Sequence, residues 1–350
     1  VRASSEWAAR SERGSFVLVS AMLWLVLRLG PRASRWLVPP ISLWFLATSG
    51  AARNASRAYL GRVLGRSAQW RDVSRHFHSF GCAILDRVFL LAGRTEGFHI
   101  TTEGLDVMDD IMVRRQGCVL LGAHLGSFEV LRALTAQAPV PVWALMFRRN
   151  RGALTRLLER LNPELHQNVI EIGEPSGMLR VRECIARGEI VGILADRSVT
   201  SGEAGYRADE RRVAVPFLGS TALFPAGPFV LAAMLDVPVV LFHGVRTGPQ
   251  CYAVRFAHFA DRVVLRRATR TDDLRAVVAR YAAALERDCR AYPLNWFNFF
   301  AFWEHGDDAD RDPDGARPVP AGLVPADHVR AGVAPCAERS GIGAARPSGS

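Results

Sequence analysis

Apolar positions along this chain keep two different beats. From Ser56 to about Leu91 they recur every three or four residues, with Phe77, Phe80, Ile84, Val88 and Leu91 on one stripe, which predicts helix. From Phe98 onward, short apolar runs alternate with helical stretches. Phe98–Thr101, Cys118–Leu121, Val140–Phe147, Val169–Ile172, Ile190–Ala195, Val237–Val245 and Tyr252–Phe259 read as strands. Leu105–Arg115, Phe128–Leu134, Ala153–Leu161, Met178–Arg187, Pro225–Leu235 and Asp272–Arg290 read as helices. Strand and helix in alternation predict a three-layer α/β domain around a mostly parallel sheet. No internal repeat is visible.

The first sixty residues follow a third pattern. Phe16–Leu27 is a nearly uncharged apolar run closed by Arg28, Gly30 and Pro31, and Trp36–Ala52 is a second run carrying Pro39 and Pro40. At ~1.5 Å per residue the first is too short to span ~30 Å of hydrocarbon unaided. Trp7, Trp24, Trp36 and Trp44 lie at or within these runs, and Arg10, Arg13, Arg28, Arg32, Arg35, Arg53 and Arg57 flank them. Aromatic and basic flanks suit helices that lie in, or dip into, an anionic interface. A buried core helix and a single true span are the other readings. The chain thus divides into a membrane-associating helical segment (1–60), an α/β domain (61–305) and a tail (306–350). The tail loses periodicity, is rich in Pro, Gly, Asp, Ala and Arg, and reads as disordered.

Charge narrows the partners. The net charge is +10, and all 44 basic residues are Arg. Acidic partners follow: nucleic acid, an anionic membrane face or a phosphate-bearing substrate. Zinc spacing, an aromatic-basic ribonucleoprotein motif and a basic zipper are all missing, which argues against nucleic acid. The six cysteines show no CxxC and no framework, so they read as small hydrophobes in a reducing compartment. No secretory signal is convincing, because Glu6, Arg10, Glu12 and Arg13 precede the first apolar run.

Candidate chemistry centres on His124-Leu125-Gly126-Ser127-Phe128-Glu129, where a predicted strand meets a predicted helix. Five residues apart on one helix would point the His and the Glu to different faces. With His124 ahead of the helix, Glu129 falls in the first turn, where the dipole favours its charge and it can reach back to the ring. Gly122, Gly126 and Ser127 are suited to the turn and cap this needs. Ligands in parallel sheets sit beyond the carboxyl ends of the strands. Arg148, Arg149 and Arg151 follow one such end, and Asp196 and Arg197 follow another. Arg148 or Arg149 suits a phosphate or carboxylate, while Asp196–Arg197 reads either as substrate contacts or as a local ion pair. His76 and His78, two apart on a helix, do not converge and are not read as metal ligands. No G-x-S-x-G nucleophile elbow, dinucleotide fingerprint or Walker lysine is present.

Several motifs occur in order: Ser11-Glu12-Arg13-Gly14, Arg53-Asn54-Ala55-Ser56, His124-x4-Glu129, Phe147-Arg148-Arg149-Asn150, Ala195-Asp196-Arg197, Val215-Pro216-Phe217-Leu218-Gly219, and Asn295-Trp296-Phe297-Asn298-Phe299 through Phe302-Trp303. With them, the region from Trp7 to Trp303 resembles the late acyltransferases of lipid A biosynthesis, within the lysophospholipid acyltransferase-like superfamily. In motif it looks closest to acyltransferases found with aryl-polyene lipid biosynthesis, although many relatives carry Asp at the place of Glu129. The resemblance implies a glycerolipid-acyltransferase-like fold behind membrane-associating N-terminal helices, at the cytoplasmic face of a bacterial inner membrane. It implies that His124 takes a proton from an acceptor hydroxyl attacking a fatty acyl thioester, with Glu129 fixing the ring. Arg148, Arg149, Asp196 and Arg197 would contact substrate, and backbone near Gly126 would help hold the oxyanion. The donor would be acyl carrier protein or acyl-coenzyme A, the acceptor a lipid or glycolipid, with no cofactor, metal or nucleic acid. A membrane-associated lipid hydrolase using the same dyad and a non-enzymatic lipid-binding protein are the alternatives.

Overall fold

In a computed structural model, the described residues are 16–135, 140–147, 168–172, 175–197 and 212–303. Within them α1 (Phe16–Ala33) is broken at Gly30, whose φ of 78° is left-handed, and a 3₁₀ turn (Ser34–Leu37) leads into α2 (Val38–Thr48). Then come α3 (Gly50–Leu64), α4 (Trp70–Leu91), β1 (His99–Glu103), α5 (Leu105–Val113), β2 (Cys118–Gly122) and α6 (Glu129–Thr135). They are followed by β3 (Val142–Phe147), β4 (Val169–Ile172), α7 (Pro175–Ala186) and β5 (Ile190–Leu194). Last are β6 (Arg212–Phe217), β7 (Ser220–Pro225), α8 (Gly227–Leu235), β8 (Val239–Gly248), β9 (Cys251–Ala260) and α9 (Arg270–Ala291).

Seven strands form one sheet in the order β1-β9-β8-β2-β5-β3-β4, parallel throughout except for the β8–β9 pair. Alternate residues of the central strand β2 feed opposite faces, as the pleat requires. Val119 and Leu121 join Val278, Tyr281 and Leu285 of α9 and Val181 of α7. Cys118 and Leu120 join Phe89 of α4, Val130 of α6 and Ile111 of α5. Helices therefore cover both faces, and the predicted α/β sandwich with a mostly parallel sheet is what the chain forms. Cys82, Cys118, Cys184, Cys251 and Cys289 are buried and form no disulfide among the described residues.

Three differences from the sequence reading have physical causes. The helical stretch from Ser56 to Leu91 is two helices: Gly65 ends α3 at a φ of 64°, and the Asp72 carboxylate accepts the Gln69 N–H at 2.8 Å to start α4. The β6–β7 hairpin was not predicted, because Pro216 interrupts an otherwise strand-like run. Its two-residue turn, Leu218-Gly219, holds φ of 50° and 79°, and Leu218 donates its N–H to Glu286 at 2.6 Å. Finally, the N-terminal helices bury part of their apolar surface within the protein, and among the described residues no helix is long and apolar enough to cross a membrane, as the short first run implied. Leu23 and Val26 of α1 and Val38 of α2 sit in the same buried cluster as Leu120 and Phe242, so the N-terminal helices pack on the sheet's own core. Gly81 of α4 permits the approach of α2, since a Cβ there would press on Val38 and Ser42. The Ala153–Leu161 helix and the tail reading for 306–350 lie outside the described residues.

Leu121 is wholly buried at the centre of β2. Leu121→Ala is expected to cost ~2–5 kcal/mol, read as a lower midpoint at unchanged slope in urea unfolding.

Candidate active site

β2 and β5 run side by side with Gly122 opposite Leu194, so the residues just beyond their carboxyl ends meet. His124 follows one end and Asp196 the other. The Asp196 carboxylate is buried and receives three donors. Its Oδ2 accepts the backbone N–H of His124 and the indole N–H of Trp296, both at 3.0 Å, and its Oδ1 lies 2.8 Å from Nδ1 of His124. Burial alone would raise its pKa. The charge of His124, its hydrogen bond, Arg197 and the Trp296 indole outweigh that and hold the group well below the usual carboxylate range.

The His124 pKa is lowered too, which for a histidine favours the neutral form. Desolvation lowers its pKa, Asp196 opposes that, Arg197 adds to it, and the charge of Glu129 also raises it. Arg197 Nε lies 2.9 Å from the same Nδ1, and one ring nitrogen cannot both donate to Asp196 and accept from Arg197. An ionised, buried Asp196 decides the matter: Nδ1–H donates to the carboxylate, and Arg197 sits beside the ring as a cation over the Phe300 face at 5.6 Å. Nε2 is then the basic nitrogen, on a side chain that is 32% exposed.

The loop carrying His124 is fastened on three sides. The His124 carbonyl accepts the Phe297 N–H at 3.0 Å, the Gly126 N–H donates to the Asn295 carbonyl at 2.8 Å, and the Ser127 N–H donates to the Gly244 carbonyl at 2.8 Å. Gly126 has a φ of 77°, and a Cβ there would overlap the Gly244 carbonyl oxygen. Its own backbone N–H is thus engaged by Asn295, so an oxyanion donor near this turn would have to be a neighbouring amide.

Glu129 opens α6 as predicted, but its carboxylate contacts other groups. Oε2 accepts the Ser127 hydroxyl at 3.0 Å, and Oε1 lies 2.7 Å from Arg87 Nε on α4, an ion-pair contact poorly aligned for a hydrogen bond. The carboxylate bonded to the ring is that of Asp196, 72 positions along the chain. Arg148, Arg149 and Arg151 lie outside the described residues.

Two supporting residues, His76 and Asn295, were given no role in the site from sequence. His76 is fully buried, with Nε2 at 3.0 Å from the Trp296 carbonyl and Nδ1 at 2.9 Å from the Ser56 hydroxyl. A carbonyl only accepts, so Nε2 carries the proton and Ser56 donates to Nδ1. Both ring nitrogens are occupied in positioning Trp296, whose indole in turn holds Asp196. Asn295 brackets Arg246, accepting its N–H at 2.8 Å and donating to its carbonyl at 3.2 Å. The legible signal was polar residues set within apolar motifs, as in Asn295-Trp296 and Ala55-Ser56.

The fold and site thus define an α/β protein whose mostly parallel sheet presents an acid-backed histidine at its carboxyl edge. More specifically, the chain belongs to the bacterial lipid A biosynthesis acyltransferase family, whose model matches residues 6–305. Membership supports acyl transfer from an acyl donor to a lipid acceptor. A comparison with curated proteins found no match.

Burial pushes the His76 pKa down to about 4 from the ordinary 6.5, against the bond to Trp296. Its neutral form is favoured by folding, so this contribution is complete above pH 6.5 and is lost as pH falls toward 4, amounting to ~3 kcal/mol. Unfolding free energy measured across that window should fall more steeply for the wild type than for His76→Gln. Gly126→Ala is expected to lower the melting temperature and transfer activity together, because the loop cannot stay on Gly244.

Proposed function

We propose that this chain moves a fatty acyl group from an acyl thioester, on acyl carrier protein or coenzyme A, to a hydroxyl of a membrane lipid or glycolipid of the lipid A or aryl-polyene type. The observation that carries this reading is the bond from Nδ1 of His124 to the buried Asp196 carboxylate, which leaves Nε2 basic on an accessible ring. Nε2 takes the proton of the acceptor hydroxyl as its oxygen attacks the thioester carbonyl. The tetrahedral intermediate expels the thiolate, which recovers the proton from the imidazolium, giving ester and free thiol. Asp196 stabilises the imidazolium as the acid of a triad does, without a covalent enzyme intermediate. Glu129 adds negative charge near the ring and ties the loop to α4 through Arg87. Arg197, the cation beside the ring, is assigned to substrate and to the charge that grows on the carbonyl oxygen, and Arg148 or Arg149 is assigned to an anionic group of donor or acceptor.

The N-terminal helices are assigned to the cytoplasmic face of a bacterial inner membrane. Trp24 on α1, Trp36 on the 3₁₀ turn and Leu43 and Trp44 on α2 are exposed, with Trp36 at 84%. Exposed aromatics on a chain of net charge +10 suit an anionic interface, and lying in it needs no spanning helix.

With purified protein, acyl thioester and lipid acceptor, His124→Ala is expected to lower turnover by ~10²–10⁴-fold, with Asp196→Asn and Glu129→Ala also losing orders of magnitude. Near-normal transfer by His124→Ala would sink the reading, and thioester hydrolysis indifferent to acceptor would mark a hydrolase instead. The base must be neutral, so kcat/KM falls on the acid side through the His124 pKa. Asp196 raises that pKa, so Asp196→Asn should move the acid limb of its residual activity to lower pH.

A further inference from the structure

A cluster of cations around Asp86 takes no part in the bonds that hold His124. Asp86 is buried on α4; its Oδ1 accepts from Arg35 Nη2 at 2.7 Å and its Oδ2 accepts from the Tyr252 hydroxyl at 2.9 Å. Arg246 Nε lies 3.5 Å from the same Oδ2, close enough for an ion pair and too poorly placed for a hydrogen bond. One carboxylate thus faces two guanidiniums, and no other carboxylate among the described residues pairs with either. Arg87, the next residue on α4, is engaged by Glu129. The Nε–H groups of both Arg35 and Arg246 are buried without a hydrogen-bond acceptor among the described residues. An unmet buried donor costs ~1–3 kcal/mol, and here two stand at one place beside an unbalanced positive charge. The guanidinium side chains still reach the surface, at 18% and 14% exposure. His78 registers the same field: desolvation first, then the charges of Arg246 and Arg35, push its pKa down.

The surroundings say what kind of anion fits. Arg246 lies two residues beyond Gly244, on which the His124 loop rests, and its peptide is bracketed by Asn295, the residue that also takes the Gly126 N–H. Arg35 comes from the 3₁₀ turn, next to the exposed Trp36. The cluster therefore joins the support of the His124 loop, through Arg246, to the exposed Trp36 of the N-terminal helices, through Arg35. We propose that Arg35 and Arg246 form an anion site that takes the phosphate of an amphiphile, with its apolar part against the exposed Trp36 beside Arg35. Paired guanidiniums match phosphate oxygens in geometry and charge. Calling that amphiphile the acceptor rests on the acyl-transfer reading, whereas the binding needs no turnover.

The test uses the full chain with three soluble probes: dihexanoyl phosphatidic acid, inorganic phosphate and dihexanoylglycerol, followed by calorimetric titration and thermal unfolding. Phosphatidic acid is expected to bind at least about tenfold more tightly than either other probe, and Arg246→Gln to lose about tenfold of that affinity. Arg262→Gln, an exposed arginine paired with Asp236, should bind as the wild type does; an equal loss there would mean nonspecific attraction and overturn the site. Asp86→Asn removes the counter-charge, so its melting temperature should drop without ligand and rise with inorganic phosphate by more than the wild type's does. A drop with an unchanged phosphate response means that the cluster only pins the N-terminal helices, and the site is then wrong. Phosphate and phosphatidic acid binding equally would overturn the amphiphile. Intact probe binding in a chain that transfers no acyl group would sink the acyl-transfer reading and leave the site standing; transfer without probe binding would do the reverse.

Discussion

A buried carboxylate is tolerable only when its charge is met by donors, and Asp196 is met by three: the His124 amide, the His124 ring and the Trp296 indole. Removing any one leaves a charge in a poorly solvated place, so the three donors are obliged to stay together. That obligation reaches outward. Trp296 is held through its carbonyl by His76, which is held by Ser56, so α3 and α4 help to position a carboxylate at the end of β5. Fixing the tautomer of His124 is the chemical consequence of this packing.

The segment after α9 closes the site over the sheet. Trp296 packs edge-on against Tyr59, Phe217 and Phe302, with ring centroids 4.9, 5.4 and 5.0 Å away. Asn295 and Phe297 on either side of it make the backbone bonds to the His124 loop. Apolar rings thus keep water from Asp196, while the flanking residues fasten the loop. Low local dielectric strengthens the Asp196–His124 bond for the same reason that it makes an unpaired Asp196 costly.

The N-terminal helices carry two demands on one short stretch. Leu23, Val26 and Val38 bury themselves with the sheet, whereas Trp24, Trp36 and Trp44 stay at the surface. Arg35 turns inward to Asp86 from the position beside Trp36, so the same turn anchors the segment and exposes its aromatic face. Apolar composition alone did not separate these roles, since buried and exposed positions are interleaved within each run.

The inner strands of the large sheet were legible from their apolar runs, because a strand covered on both faces needs nearly continuous hydrophobicity whatever its neighbours are, whereas the edge strand β1 is half exposed and only Phe98 and Ile100 announced it. The place of His124 beyond the end of β2 was legible too, since Gly122, Gly126 and Ser127 announce a turn locally. The β6–β7 hairpin was not, because Pro216 argues against a strand and only the burial of Leu218 and its bond to Glu286 offset a left-handed leucine. Nor was the partner of the ring. Glu129 is close in sequence and starts a helix as expected, yet its oxygens go to Ser127 and Arg87, while Asp196 reaches the imidazole from across a parallel strand pair. Periodicity and turn chemistry depend on neighbours in the chain and could be read there. The choice of carboxylate, the commitment of the Gly126 N–H and the clustering of Arg35 with Arg246 depend on which distant segments share a buried space, and folding alone decides that.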